Sequence, residues 1–103
     1  MTRLAVGPFS SLEEGVGVRV EAGEHRVAIF LVDGELFAIG DRCSHAEASL
    51  SEGEVFDHEV ECPRHGSGFD LRSGKPLSLP ATKPVPSYSV TVEDGTVYVE
   101  LPE

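Results

Sequence analysis

Apolar and polar residues alternate most cleanly near the C-terminus, where Val90, Val92, Val97 and Val99 interleave with Thr91, Glu93, Tyr98 and Glu100. A two-residue period sends successive side chains to opposite faces, so both runs predict half-buried strands. Similar β-like runs fall at Arg3–Val6, Val16–Glu21, Arg26–Val32 and Glu35–Ile39, and Tyr88–Glu93 and Thr96–Leu101 complete the set. Asp33-Gly34 and Asp94-Gly95 join neighbouring runs. Both read as tight hairpin turns, which need the positive φ that Asp-Gly supplies. Helical spacing is scarce, and only Ser11-Leu12-Glu13-Glu14 reads as a turn of helix. The pattern predicts an all-β domain spanning 1–103, without internal repeats.

Between Asp41 and Pro86 the texture changes. Five of the seven prolines lie there. The strand-like pieces are short, around Glu54–Phe56 and Glu59–Glu61, with His58 in the turn between them. So long a loop-rich stretch in a small domain needs a functional reason or an organising centre of its own. The expected layout is a loop-rich subdomain at about 41–86 inserted into a β base formed by 1–40 and 87–103. That base is expected to be separate and to fold largely without metal.

Composition narrows the partners. Eighteen acidic and eight basic side chains give a formal charge of −10. That argues against nucleic acid, whose phosphates need a basic surface, so no nucleic-acid partner is expected. It favours proteins with positive patches, or serves solubility alone. The longest apolar run, Val27–Val32, has six residues, against the roughly 20 needed to cross a bilayer. No membrane association is expected, and with no secretion-like N-terminus the expected location is cytoplasmic.

Candidate chemistry sits in Cys43-Ser44-His45 and Cys62-Pro63-Arg64-His65, separated by sixteen residues and holding both cysteines of the chain. A disulfide is improbable in a reducing cytosol and would leave the paired histidines unexplained. Residues two apart on an extended chain lie roughly 6–7 Å from one another on the same side. That separation suits Cys43 and His45 serving two adjacent metals better than one tetrahedral ion. Zinc sites more often use a C-x₂₋₄-C knuckle, although the Cys62–His65 spacing suits either arrangement. A structural zinc protein therefore stays open.

The C-x-H and C-x-x-H motifs resemble the ligand signature of Rieske-type iron–sulfur proteins, in which two cysteines hold one iron of a [2Fe–2S] cluster and two histidines the other. The likeness extends through Cys62-Pro-Arg-His-Gly-Ser-Gly-Phe69 and Asp70-Leu-Arg-Ser-Gly74 to Leu79-Pro80-Ala81, similar to the family's third loop. It implies an antiparallel β sandwich base with a loop-rich cluster-binding subdomain. It implies Cys43, His45, Cys62 and His65 as ligands of one cluster per chain, with Ser67 donating a hydrogen bond to sulfur. Replacing two thiolates by neutral imidazoles raises the potential relative to all-cysteine clusters. Where the membrane-anchored respiratory members carry an extra cysteine in each loop, this chain has other residues, notably Arg64. Phe69 replaces their tyrosine, which removes one sulfur donor and predicts a potential toward the low end of the roughly −150 to +300 mV Rieske range.

The chain most resembles soluble Rieske ferredoxins, monomeric one-electron carriers between a flavoprotein reductase and a terminal oxygenase. Ala46, Pro63, Gly66 and Pro80 are expected to rim an exposed docking tip. The alternative is a small Rieske-like subunit of a nitrite reductase. No nucleophile–base pair, phosphate loop or open metal position is visible in the sequence, so no independent catalysis is expected.

Overall fold

The computed structural model describes residues 2–43, 48–64, 66–78 and 83–101. Within them lie ten strands in three antiparallel sheets: β1 (Thr2–Pro8), β2 (Val18–Ala22), β3 (His25–Val32), β4 (Glu35–Gly40), β5 (Val55–Phe56), β6 (Glu59–Glu61), β7 (Gly68–Asp70), β8 (Ser87–Tyr88), β9 (Val90–Glu93) and β10 (Thr96–Leu101). One sheet runs β1-β10-β9, the second β2-β3-β4-β8 and the third β5-β6-β7. No described helix is long and apolar enough to cross a membrane.

The six-residue apolar run has its explanation in β3. Val27 and Ile29 join Ala38, Val99 and Leu101 in one buried cluster. Ala28, Phe30 and Val32 join Ile39, Leu50, Val60, Phe69, Leu71, Val85 and both cysteines in another. A strand buried on both faces must be apolar at every position rather than at alternate ones. The β2-β3-β4-β8 sheet is therefore the shared middle layer, with the β1-β10-β9 sheet closing one face and the small third sheet the other. On this face the central strand of the base and the cysteine-bearing loops share one apolar cluster.

Both Asp-Gly hairpins form as predicted. Asp33 and Gly34 have φ of 52° and 79°, Asp94 and Gly95 of 50° and 77°. They link Val32 to Glu35 and Glu93 to Thr96, the last ladder pairs on either side.

Beyond shifts of one or two residues at strand ends, three features differ from the sequence reading. The run Tyr88–Glu93 is two strands: β8 pairs with β4 through Ala38–Tyr88 and Ile39–Ser87, while β9 pairs with β10. The chain turns a corner between sheets at Ser89, and such corners leave the alternation undisturbed while changing the partner. The run at Val16 starts only at Val18, and Gly17 before it packs so closely that a side chain there would collide with the backbone of Ser51 and the ring of Phe30. The helical turn is a 3₁₀ turn over Phe9–Ser11 rather than Ser11–Glu14. Pro8 presets its start, and the Ser11 hydroxyl donates back to the Pro8 carbonyl at 2.7 Å. Glu14 instead bridges Leu31, and its carboxylate accepts from the Asp33 amide at 2.6 Å.

Candidate metal centre

Two strand ends carry the cysteines. Cys43 lies three residues beyond β4 and Cys62 directly follows β6, each in the apolar cluster on the same face of β3. Their exposures are 4% and 1%, and neither forms a disulfide. Two buried thiols in one core, unbridged, form a soft donor pair that suits iron–sulfur or zinc chemistry better than hard cations. In the sequence a histidine follows each cysteine by two or three residues, and such a mixed donor set would fit a [2Fe–2S] cluster. His45 and His65 themselves lie outside the described residues, as do Ala46 and the third-loop residues Leu79, Pro80 and Ala81.

The loop containing Cys62 is a short closed turn. Its amide donates to the Ser67 carbonyl at 2.7 Å, and the Gly66 amide donates to the Cys62 carbonyl at 2.9 Å. Gly66 has a φ of +77°, which glycine adopts without a Cβ clash. Ser67 is fully buried, and Phe69 beyond it packs in the same core as both thiols. The Gly68 amide then donates to Ser78 Oγ at 2.8 Å, and the Leu77 amide to the Gly68 carbonyl at 2.7 Å. These bonds tie the second motif to the segment leading into the third loop.

A residue that sequence reasoning used only as a boundary governs the first loop. Asp41 is fully buried, and its backbone amide donates to the Arg26 carbonyl at 2.9 Å. Its carbonyl accepts from Leu50, while its carboxylate accepts from the Ser51 amide at 2.9 Å and Arg26 Nη2 at 3.1 Å. Ser49 Oγ accepts from both Arg19 and Arg26, and the Cys43 amide donates to the Ala48 carbonyl. One carboxylate thus holds both ends of the Cys43 loop. Burial pushes the Asp41 carboxyl up, but hydrogen bonds from Ser51, Ser49 and Arg26 outweigh it and hold the group below its ordinary range. The only sequence signal was an acidic residue at the end of an apolar strand, which surface turns also show.

The remaining histidines stand apart from this pair. His25 opens β3 and meets Tyr88 edge-on at 6.2 Å. His58 sits in the β5–β6 turn as expected, but it is not fully solvated. Its ring packs edge-on against Phe37 at 5.5 Å and its Nδ1 lies 2.9 Å from the Asp57 carboxylate.

Comparison with known proteins agrees with this geometry. The profile of the Rieske [2Fe-2S] domain matches residues 2–89. The ferredoxin subunit of the 3-phenylpropionate/cinnamic acid dioxygenase of Escherichia coli K12 is 45% identical over 104 aligned positions, covering 100% of this chain and 97% of that protein. A structure of reduced oxygenase with oxidised ferredoxin in carbazole 1,9a-dioxygenase contains a chain similar at TM-score 0.90 and 38% identity, covering 94% of this chain and 91% of that one. A structure named for the small subunit of an NADH-dependent nitrite reductase from Mycobacterium tuberculosis is similar at TM-score 0.86 and 28% identity, covering 95% and 93%. The chain belongs to the Rieske [2Fe-2S] family, holds one such cluster and is an electron carrier rather than an enzyme in its own right.

Proposed function

We propose that this chain receives single electrons from a flavoprotein reductase and passes them to a terminal oxygenase. The observation that carries the proposal is the pair of unbridged, buried cysteines at the ends of two strands, each leading into a histidine-bearing loop. Cys43 and Cys62 would hold one iron, and His45 and His65 the other. The bound cluster supplies reversible uptake of one electron without bond making. Ser67 would donate its hydroxyl to a sulfur and Asp41 fixes the first loop. The segment at about 41–86 acts as the cluster-binding lobe, with 1–40 and 87–103 as its base. Full-length similarity to a dioxygenase ferredoxin subunit supports the oxygenase as acceptor. A reducing, cytoplasmic setting keeps both cysteines available as thiolates.

The test is stopped-flow mixing of the dithionite-reduced protein with the oxidised terminal oxygenase of a 3-phenylpropionate dioxygenase system. Expected is stoichiometric one-electron transfer, with an EPR signal at lower average g than all-thiolate clusters give. A colourless protein binding one zinc per chain would remove the reading. A stable large assembly in gel filtration of cell extract would favour a reductase subunit over a free monomeric carrier.

A further inference from the structure

Arg64 stands within the second motif, between Pro63 and His65, and is exposed. Among the described residues its guanidinium has no hydrogen bond, ion pair or ring contact. That is unusual in a chain with eighteen acidic side chains. Arg3 pairs with Glu93, Arg19 and Arg26 with Asp41, and Arg72 lies over Phe37. Beside Arg64 is an open hollow of about 430 Å³, lined by Arg26, Ala48, Ser49, Glu52, Pro63 and Arg64. Its walls come from the return of the first cysteine loop, the second loop and the start of β3. Among the described residues two guanidiniums line it against one carboxylate. Arg26 is held in position by Asp41 at 3.1 Å and Ser49 at 3.0 Å, whereas Arg64 is uncommitted.

We propose that this hollow is a docking socket for an acidic side chain of the electron-transfer partner, with Arg64 as the group that binds it. The inference rests on the electron-carrier reading above and adds the chemistry of one contact. Arginine's planar fork matches a carboxylate with two parallel hydrogen bonds, and no pair among the described residues has to break first. The chain as a whole, at a formal charge of −10, repels acidic surfaces. A partner therefore docks here with a mainly basic face bearing one carboxylate opposite Arg64. Such an inverted charge fixes register more than affinity. Register matters at this point because Arg64 is the chain neighbour of the proposed ligand His65.

Two small one-electron oxidants read the local charge without needing a protein partner. Ferricyanide and hexaammineruthenium(III) each take one electron from the reduced protein, giving ferrocyanide or ruthenium(II), with no proton or bond transferred. Arg64→Glu should slow oxidation by ferricyanide and speed oxidation by hexaammineruthenium(III), each by about fivefold at low salt. Arg64→Lys should stay near the unsubstituted rate with both. The visible spectrum should be unchanged in both variants, which separates the effect from damage to the cluster. Equal or same-direction changes with the two oxidants would overturn the proposal.

The protein arm measures the dissociation constant of the oxidised chain on the immobilised oxygenase. A weakening of about tenfold for Arg64→Glu is expected, with partial recovery in Arg64→Lys. Unchanged affinity, where the unsubstituted chain binds, would also overturn it. No transfer from the unsubstituted chain would count against the oxygenase assignment alone, and a same-direction response to the small oxidants would still overturn the socket.

Discussion

The two faces of β3 are closed in different ways. On one, Val27 and Ile29 meet Val99 and Leu101 of β10, and Leu4, Val6 and Val90 pack around them from strands of ordinary length. On the other, Phe30 and Val32 meet Leu50, Val60, Phe69, Leu71, Val85 and the cysteines, supplied by strands of two or three residues and by loops. The first face is held by long ladders and would close on hydrophobic burial alone. The second depends on single loop hydrogen bonds, on Asp41 and on ligand bonds to the cluster. The same strand thus serves a self-sufficient core and a conditional one.

The strongest way to break this contrast is to remove a thiolate. Cys43→Ala or Cys62→Ala should abolish the cluster and its visible absorption. Amide exchange should then rise across 50–78, while β3 and β4 stay protected by their pairing from Val27–Gly40 to Val32–Glu35. His45→Ala should weaken cluster retention strongly. The opposite lesion is Ile29→Ala, at a fully buried position on the first face. It should cost about 2–5 kcal/mol in urea unfolding, with the cluster spectrum retained in the folded fraction. If the cysteine variants unfold β3 as well, the two faces are one cooperative unit and the contrast fails.

Asp41 sits where the faces join, just beyond β4. Asp41→Ala removes the acceptor for Ser51 and leaves Arg26 without its partner at 3.1 Å. Because Arg26 stays in part solvated, the cost should be about 2–3 kcal/mol rather than that of a sealed pair. Asp41→Asn should lose less, since the amide oxygen still accepts from Ser51. Cluster loss should accelerate in both variants while β10 amides keep their protection.

The first face was legible in the sequence and the second much less so. Alternation at Val97 and Val99, Asp-Gly at both hairpins and the unbroken run in β3 are local signals with local causes. The Cys/His spacing is a local signal of the same kind, and Cys43 and Cys62 lie buried in one core. What could not be read was partnership. Nothing local shows that Ser89 marks a change of sheet or that Asp41 binds Ser51 and Arg26, since these are decided by segments distant in sequence. His58 likewise gains its contact with Phe37 only when the third sheet folds against β4.

Close approach offers a smaller probe. A Cβ at Gly53 would collide with the Glu61 carbonyl beside Cys62, whereas one at Gly23 meets open space and faces only the strain of a φ of +59°. Gly53→Ala should cost about 1–3 kcal/mol through crowding and should also loosen the cluster. Gly23→Ala, in the β2–β3 turn, should cost about 1 kcal/mol and leave the cluster spectrum untouched. Equal effects on the spectrum would mean that the second face tolerates backbone shifts as well as the first.

The smallest expected effect is alkaline. Tyr88 lies in β8, packed against the first face beside Ala38, and burial lifts its phenol above the ordinary value of 10.0. Between the unfolded and the folded pKa, the unfolded chain has already lost this proton and the folded chain still holds it. Stability from this group is therefore complete below pH 10 and declines as pH rises through the folded value. The loss should be small, because the side chain is only partly buried. Urea unfolding at successive pH values should show the decline, and Tyr88→Phe should flatten it. A decline that persists unaltered in Tyr88→Phe would place its origin elsewhere and remove the one titratable group assigned to the self-sufficient face.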